Sequence, residues 1–138
     1  MTDRPNLLTP TLRYRDPAAA VDWLSRVFGM RAHFVARAGD EPDAAVAHAQ
    51  MKLGDALLFL GPDYDDDPYG MRTPLALPGT NQCVCIALDN VDEVYRKAVE
   101  AGAQTVNAPR KTPYGAYEFS VKDLEGHVWT VSDYRGEP

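Results

Sequence analysis

His48, Cys83, Cys85, two arginines and a run of aspartates are the groups in this chain equipped for chemistry beyond packing. His48 alternates with Gln50 and Lys52 along a segment whose intervening positions are Ala49, Met51 and Leu53. A histidine on the polar side of a strand titrates near neutrality and suits a general base or a hydrogen-bond donor to a ligand carbonyl. The plainer role is to tie neighbouring strands together. His33 and His127 fall near a strand end and a turn. The three histidines contain no i, i+4 pair on which a metal site is commonly built.

Cys83 and Cys85 flank Val84. In an extended strand both thiols point the same way, with Cα atoms near the ~7 Å beyond which a disulfide needs backbone movement. The spacing argues against a bridge and suits a reducing cytoplasm. Cys83 becomes a nucleophile only where a neighbour lowers its pKa; no adjacent residue does so, which leaves Arg13 as the cation able to reach it through space. The ordinary role of both cysteines is that of small buried hydrophobes. Arg13 and Arg15 either clamp a carboxylate or phosphate, or extend to the rim and pair with local aspartates. The run Asp63-Tyr64-Asp65-Asp66-Asp67-Pro68-Tyr69 joins four carboxylates to two rings. It either attracts a planar cation or is a solvated turn.

Two helices carry clear start and stop signals. Asp16 before Pro17 is an N-cap and first-turn proline, Ala20, Val21, Leu24, Val27 and Phe28 recur at helical spacing, and Gly29 ends the run. Asn90 with Glu93 resembles a capping box, followed by Val91, Val94, Tyr95, Ala98 and Val99 as the buried stripe and by Gly102. Strand-like segments at Thr9–Arg15, Arg31–Ala38, Ala44–Leu53 and Asp55–Leu60 surround the first helix. Cys83–Leu88, Thr105–Pro109, Tyr117–Lys122 and His127–Ser132 surround the second. The order is βαβββ twice, an α+β chain in which Gly54-Asp55 and Glu125-Gly126 mark turns. Asp16–Gly29 echoes Asn90–Gly102, which points to an internal duplication. The expected organisation is one domain over 1–138: a module at about 7–62, a linker at about 63–80 and a second module at about 81–135. Alternation places Thr9, Arg13, His48, Gln50, Phe59, Cys83 and Thr130 on the face away from the helices. A curved sheet lined this way is a concave pocket. Trp23 and Trp129 belong to the core, Trp129 on the helix side.

The chain has 138 residues, 45% of them hydrophobic and 25% charged, a composition of globular domains rather than of disordered chains. Fourteen Lys and Arg against twenty Asp and Glu give a net charge of -6, which argues against a general nucleic-acid binder. No apolar stretch approaches a membrane span and no signal peptide is visible, so the expected setting is cytoplasmic, without membrane partners.

Leu12–Asp16, Ala20–Leu24, Val27–Met30, His48–Asp55, Cys85–Asp92, Ala101–Ala103, Tyr114-Gly115, Phe119 and Val121–Trp129 stand in the order of the vicinal oxygen chelate superfamily, which the chain resembles over nearly its whole length. This superfamily is also called the glyoxalase/bleomycin-resistance/dioxygenase group. The resemblance implies paired modules forming an open, curved mixed sheet, usually in a homodimer. It also places metal ligands early in the first strand and within the last strand of each module. Those positions are Thr9 and Cys83, then Phe59 and Thr130, a set in which the phenyl ring cannot coordinate. No metal and no cofactor is therefore expected. The family's pocket rim falls on Tyr114, Tyr117 and Tyr134, and its drug-sequestering members bind cationic glycopeptides in acidic surroundings.

The expected function is a metal-free protein that sequesters or carries a small molecule, with Thr9, Arg13, His48, Gln50, Phe59, Cys83, Tyr114 and Thr130 as ligand-binding residues. The alternative is a lyase or isomerase with an unorthodox metal site, or with metal-free acid–base chemistry through His48. A regulatory module acting through a dimer surface is a third reading, which no residue singles out.

Overall fold

The structure, a computed structural model, describes residues 7–138. The chain forms two compact units that meet in sequence at Ala76 and Leu77, inside the expected linker.

The first unit contains β1 (Thr11–Tyr14), α1 (Pro17–Phe28), β2 (Arg31–Arg37), β3 (Val46–Leu53) and β4 (Ala56–Pro62). Its four-stranded sheet has the order β1-β4-β3-β2; β1 pairs parallel with β4, and the other pairs are antiparallel. Helix α1 starts as its sequence demands. The Asp16 carboxylate accepts from Ala19 N–H at 3.1 Å, and Gly29 adopts a left-handed φ of 75° that ends the helix. Its apolar face buries Trp23, Leu24, Val27 and Phe28, and the core continues through Leu12, Tyr14, Ala49, Met51, Leu58 and Leu60 of the sheet. Trp23 packs edge-on against Phe28 with centroids 5.5 Å apart.

The second unit repeats the order with β5 (Cys83–Ala87), α2 (Val91–Glu100), β6 (Gln104–Lys111), β7 (Tyr117–Lys122) and β8 (Val128–Ser132). The sheet order β5-β8-β7-β6 and the parallel β5–β8 pair reproduce the first unit strand for strand. Thr11 faces Phe59 in one sheet as Cys85 faces Thr130 in the other, so the duplication extends to register. Val91, Val94, Ala98, Phe119, Val121, Trp129 and Val131 form the core here. The Trp129 indole donates to Asp123 at 2.9 Å, which satisfies its N–H inside the core.

Several expectations need correction. Thr9 lies ahead of β1, which is shorter than the apolar pattern suggested. Asn90 does not cap the helix backbone; its side-chain amide donates to Glu93 at 3.1 Å. Val99 is 47% exposed because α2 is a ten-residue helix whose buried stripe is only Val91, Val94 and Ala98 wide. The β6 strand outlasts Pro109, since an edge strand needs only one of its two hydrogen-bonding sides and register shifts relieve the rest. Within the stretch expected to link the modules, Asp67 and Thr73 are buried and a short 3-10 turn spans Pro74–Ala76. Among the described residues no helix is long and apolar enough to cross a membrane.

Candidate functional site

Each sheet has a helix-covered face and an opposite face, and alternation assigns the chemistry to the opposite one. In the first unit Thr11, Phe59, Gln50 and Phe34 stand in register across the four strands. His48 leans on this row: its ring lies 5.3 Å from Phe59, edge to face, and 6.4 Å from Phe34. The Gln50 amide nitrogen is 3.3 Å from His48 Nε2, so the amide donates when that ring nitrogen carries no proton. This face therefore offers two aromatic walls and a polar His–Gln pair, each half-buried except the exposed Phe34.

Arg13 is tied down more firmly than either sequence reading required. It lies over Gly61, where an added Cβ would come within 2.9 Å of Nη1, so a larger residue there would displace the guanidinium. Its Nε donates to Asp67 Oδ2 at 2.6 Å, and its guanidinium carbon stands 5.9 Å from the Tyr64 ring. The Arg13 guanidinium holds the Asp67 carboxyl below the usual range; burial opposes this, and the Tyr69 N–H, donating at 2.9 Å, assists. Asp63 is held down in the same way, first by Arg72, which donates from Nε and Nη2 at 3.0 and 3.1 Å, against burial and with help from Thr73 N–H. Three of its carboxylates pair with arginines, Asp67 with Arg13 of β1 and Asp63 and Asp65 with Arg72, so the run is more ordered than a simple solvated turn.

In the second unit the corresponding face carries Cys83 and Cys85 of β5, Thr130 and Ser132 of β8, and Glu118 and Ser120 of β7. Thr130 Oγ1 lies 2.7 Å from Ser120 Oγ and 3.3 Å from Cys83 Sγ. A cavity of about 410 Å³ opens beside them, with Cys85, Tyr114, Glu118, Thr130 and Tyr134 among its walls. Tyr114 donates its phenol to Glu118 Oε1 at 2.7 Å and meets the Tyr134 ring edge to face at 5.3 Å. The hydrogen bond to the Glu118 carboxylate, then burial, raises the Tyr114 phenol above its ordinary value. Burial, then the adjacent Cys83, raises the Cys85 thiol.

Both cysteines are free and exposed, which corrects the reading of them as buried hydrophobes. They stand on the open face because Val84 and Ile86 take the helix side of a five-residue strand. Tyr117 is also corrected: its parity puts it on the helix side, where its phenol donates to Asp92 of α2 at 2.6 Å. Arg15 is exposed beyond the end of β1. Glu118, Ser120 and Ser132 were not singled out from sequence, although the alternation of Glu118 and Ser120 with Phe119 and Val121 carries the same signal as His48 and Gln50. Gly61 gave no such signal, because its role depends on a contact with a distant strand, whereas the pairing of Arg13 with Asp67 is one of the two outcomes the sequence offered.

A family profile, "Glyoxalase/Bleomycin resistance protein/Dioxygenase superfamily", matches residues 6–131. The chain belongs to this superfamily. It is similar to the solved structure of TioX from Micromonospora sp. ML1, at 30% identity and TM-score 0.72, covering 94% of this chain and 99% of that one. It is also similar to the uncharacterized protein Rv0887c of Mycobacterium tuberculosis, 29% identical across 90% of this chain and 72% of the relative. The fosfomycin resistance protein FosX from Mesorhizobium loti shares the fold at TM-score 0.68 and 14% identity, over 95% of this chain and 93% of that one.

The divalent ion implied by the superfamily does not fit the donors present. Phe59 supplies a hydrocarbon ring and Thr130 a hydroxyl already placed between Ser120 and Cys83. Thr11, not Thr9, stands opposite Phe59. Among the described residues no three His, Cys, Asp or Glu side chains come together as a chelating group.

Proposed function

We propose that this chain binds and sequesters or carries a small molecule in a concave site, without the divalent ion of its metal-dependent relatives. The observation that carries this reading is the cavity in the second unit, whose walls join two tyrosine rings to a carboxylate and hydroxyls. Aromatic walls with a few fixed polar groups are the common makeup of a small-molecule pocket. Thr130 belongs to it directly, and Tyr114 forms its aromatic edge with Tyr134. In the first unit, Arg13, His48, Gln50 and Phe59 form a patch of proposed ligand-binding residues on their own sheet, while Thr9 lies ahead of β1. The proposed setting is a cytoplasmic homodimer; two exposed free thiols favour a reducing compartment.

A thermal-shift screen of chelator-treated protein against a panel of aromatic antibiotics tests the reading, since a compound that binds only the folded state raises the melting point. A hit is expected to bind equally well with and without EDTA, to be released unchanged, and to lose about tenfold or more in affinity in Tyr134→Ala. A near-stoichiometric divalent ion held by the site, with binding abolished by EDTA, overturns it.

The enzymatic alternative draws support from His48, whose Nε2 meets Gln50 between two aromatic rings. Turnover of a bound compound that disappears in His48→Ala, with folding intact, would favour acid–base catalysis over carriage.

A further inference from the structure

We propose that Cys83 and Cys85 form a two-thiolate site for a soft, closed-shell monovalent cation of the Cu(I) type. The inference goes beyond the ligand reading and does not rest on it.

Strand geometry provides the first argument. Cys83 and Cys85 are alternate residues of β5, so their side chains leave the same face. Two strand steps separate their Cα atoms by roughly 6.8 Å, at the far end of what a disulfide tolerates. A linear sulfur–metal–sulfur bridge holds its two sulfurs well beyond the roughly 2 Å of a disulfide. Alternate positions on one strand face therefore suit a two-coordinate ion better than a disulfide.

The surroundings provide the second. Both thiols are exposed, so an ion can reach them. The residues opposite in β8 are Val128 and Thr130, neither of which competes as a soft ligand. Thr130 Oγ1 lies 3.3 Å from Cys83 Sγ, where a neutral hydroxyl can hydrogen-bond a thiolate. Among the described residues no group of three His, Cys, Asp or Glu side chains assembles there, so zinc lacks the four donors it normally collects. Thiolate donors in low number favour Cu(I) over harder cations.

The reaction involves no change of oxidation state. Two thiols lose their protons, two metal–sulfur bonds form, and the bridged product carries one net negative charge. Because two protons are released for each ion bound, binding should strengthen as pH rises, by up to about a hundredfold per pH unit.

The test uses the full chain under anaerobic conditions, with Cu(I) supplied from a bicinchoninate complex as competitor. One Cu(I) per chain is expected, with both thiols lost together to Ellman's reagent. Cys83→Ser and Cys85→Ser should each lower affinity by on the order of a hundredfold, with far-UV circular dichroism unchanged. No uptake from the competitor, half an ion per chain, or a single-cysteine variant that binds as tightly as the parent overturns the proposal. A negative result leaves chelator-insensitive ligand binding untouched, because that assay contains no Cu(I) and reads a different probe.

Discussion

Replacing Asp123 with alanine tests whether one buried carboxylate aligns β8 and thereby the open face of the second sheet. Asp123 Oδ1 accepts from the backbone N–H groups of Glu125 and His127 at 3.0 and 3.1 Å, and Oδ2 accepts from Trp129 Nε1 at 2.9 Å. Asp123, Glu125, His127 and Trp129 are all buried, so water does not readily replace the lost acceptor. Each buried donor left without a partner costs about 1–3 kcal/mol, but the shortened side chain lets some water in. The expected loss for Asp123→Ala is about 3–5 kcal/mol. In a chain of this size that corresponds to a melting point lower by roughly 10–20 °C. Asp123→Asn keeps an oxygen for the backbone amides but turns an NH₂ towards the indole N–H, so about half of that loss is expected. Urea denaturation followed by circular dichroism gives the values without relying on tryptophan fluorescence. A cycle with Trp129→Phe should return a coupling of about 1.5–3 kcal/mol, the range for a hydrogen bond to a charged group. A loss below about 1 kcal/mol in Asp123→Ala, or additivity in the cycle, refutes the idea that this carboxylate organises the turn.

The Arg13–Asp67 pair should appear in acid titrations. Because the folded Asp67 carboxyl sits below its ordinary value of 3.8, its contribution to stability is complete above that pH and is lost as pH falls through the folded value. Gly61→Ala pushes a Cβ against the Arg13 guanidinium, so carboxyl ¹³C titration should move Asp67 back towards 3.8; an unmoved value sinks the account of Gly61. Tyr114 behaves with the opposite sense. Its phenol is raised above 10.0, so its contribution is complete below that pH and fades as pH rises through the folded value. Glu118→Gln should lower the phenolate absorbance midpoint towards its ordinary value, with burial keeping part of the rise, and an unchanged midpoint removes Glu118 as the cause.

The sequence by itself determined the elements, their repetition and the face on which each side chain falls. Helix α1 is written in Asp16, Pro17 and Gly29, and the alternation of Ala49, Met51 and Leu53 with His48, Gln50 and Lys52 sets the orientation of β3 before any contact is known. These are local properties: caps and side-chain parity depend on residues within a few positions of one another. What lay across the sheet was decided only by the tertiary structure. It placed Gly61 beneath Arg13, turned Asp67 inward to meet the guanidinium, and exposed the cysteines on a face that composition would have buried. It also drew Tyr117 away from the cavity to Asp92, while Tyr114 and Tyr134 stayed at the rim. The physical reason is register. Pairing between strands far apart in sequence sets which groups meet, and the energy of an ion pair or a stacked ring depends on that meeting rather than on the residues alone.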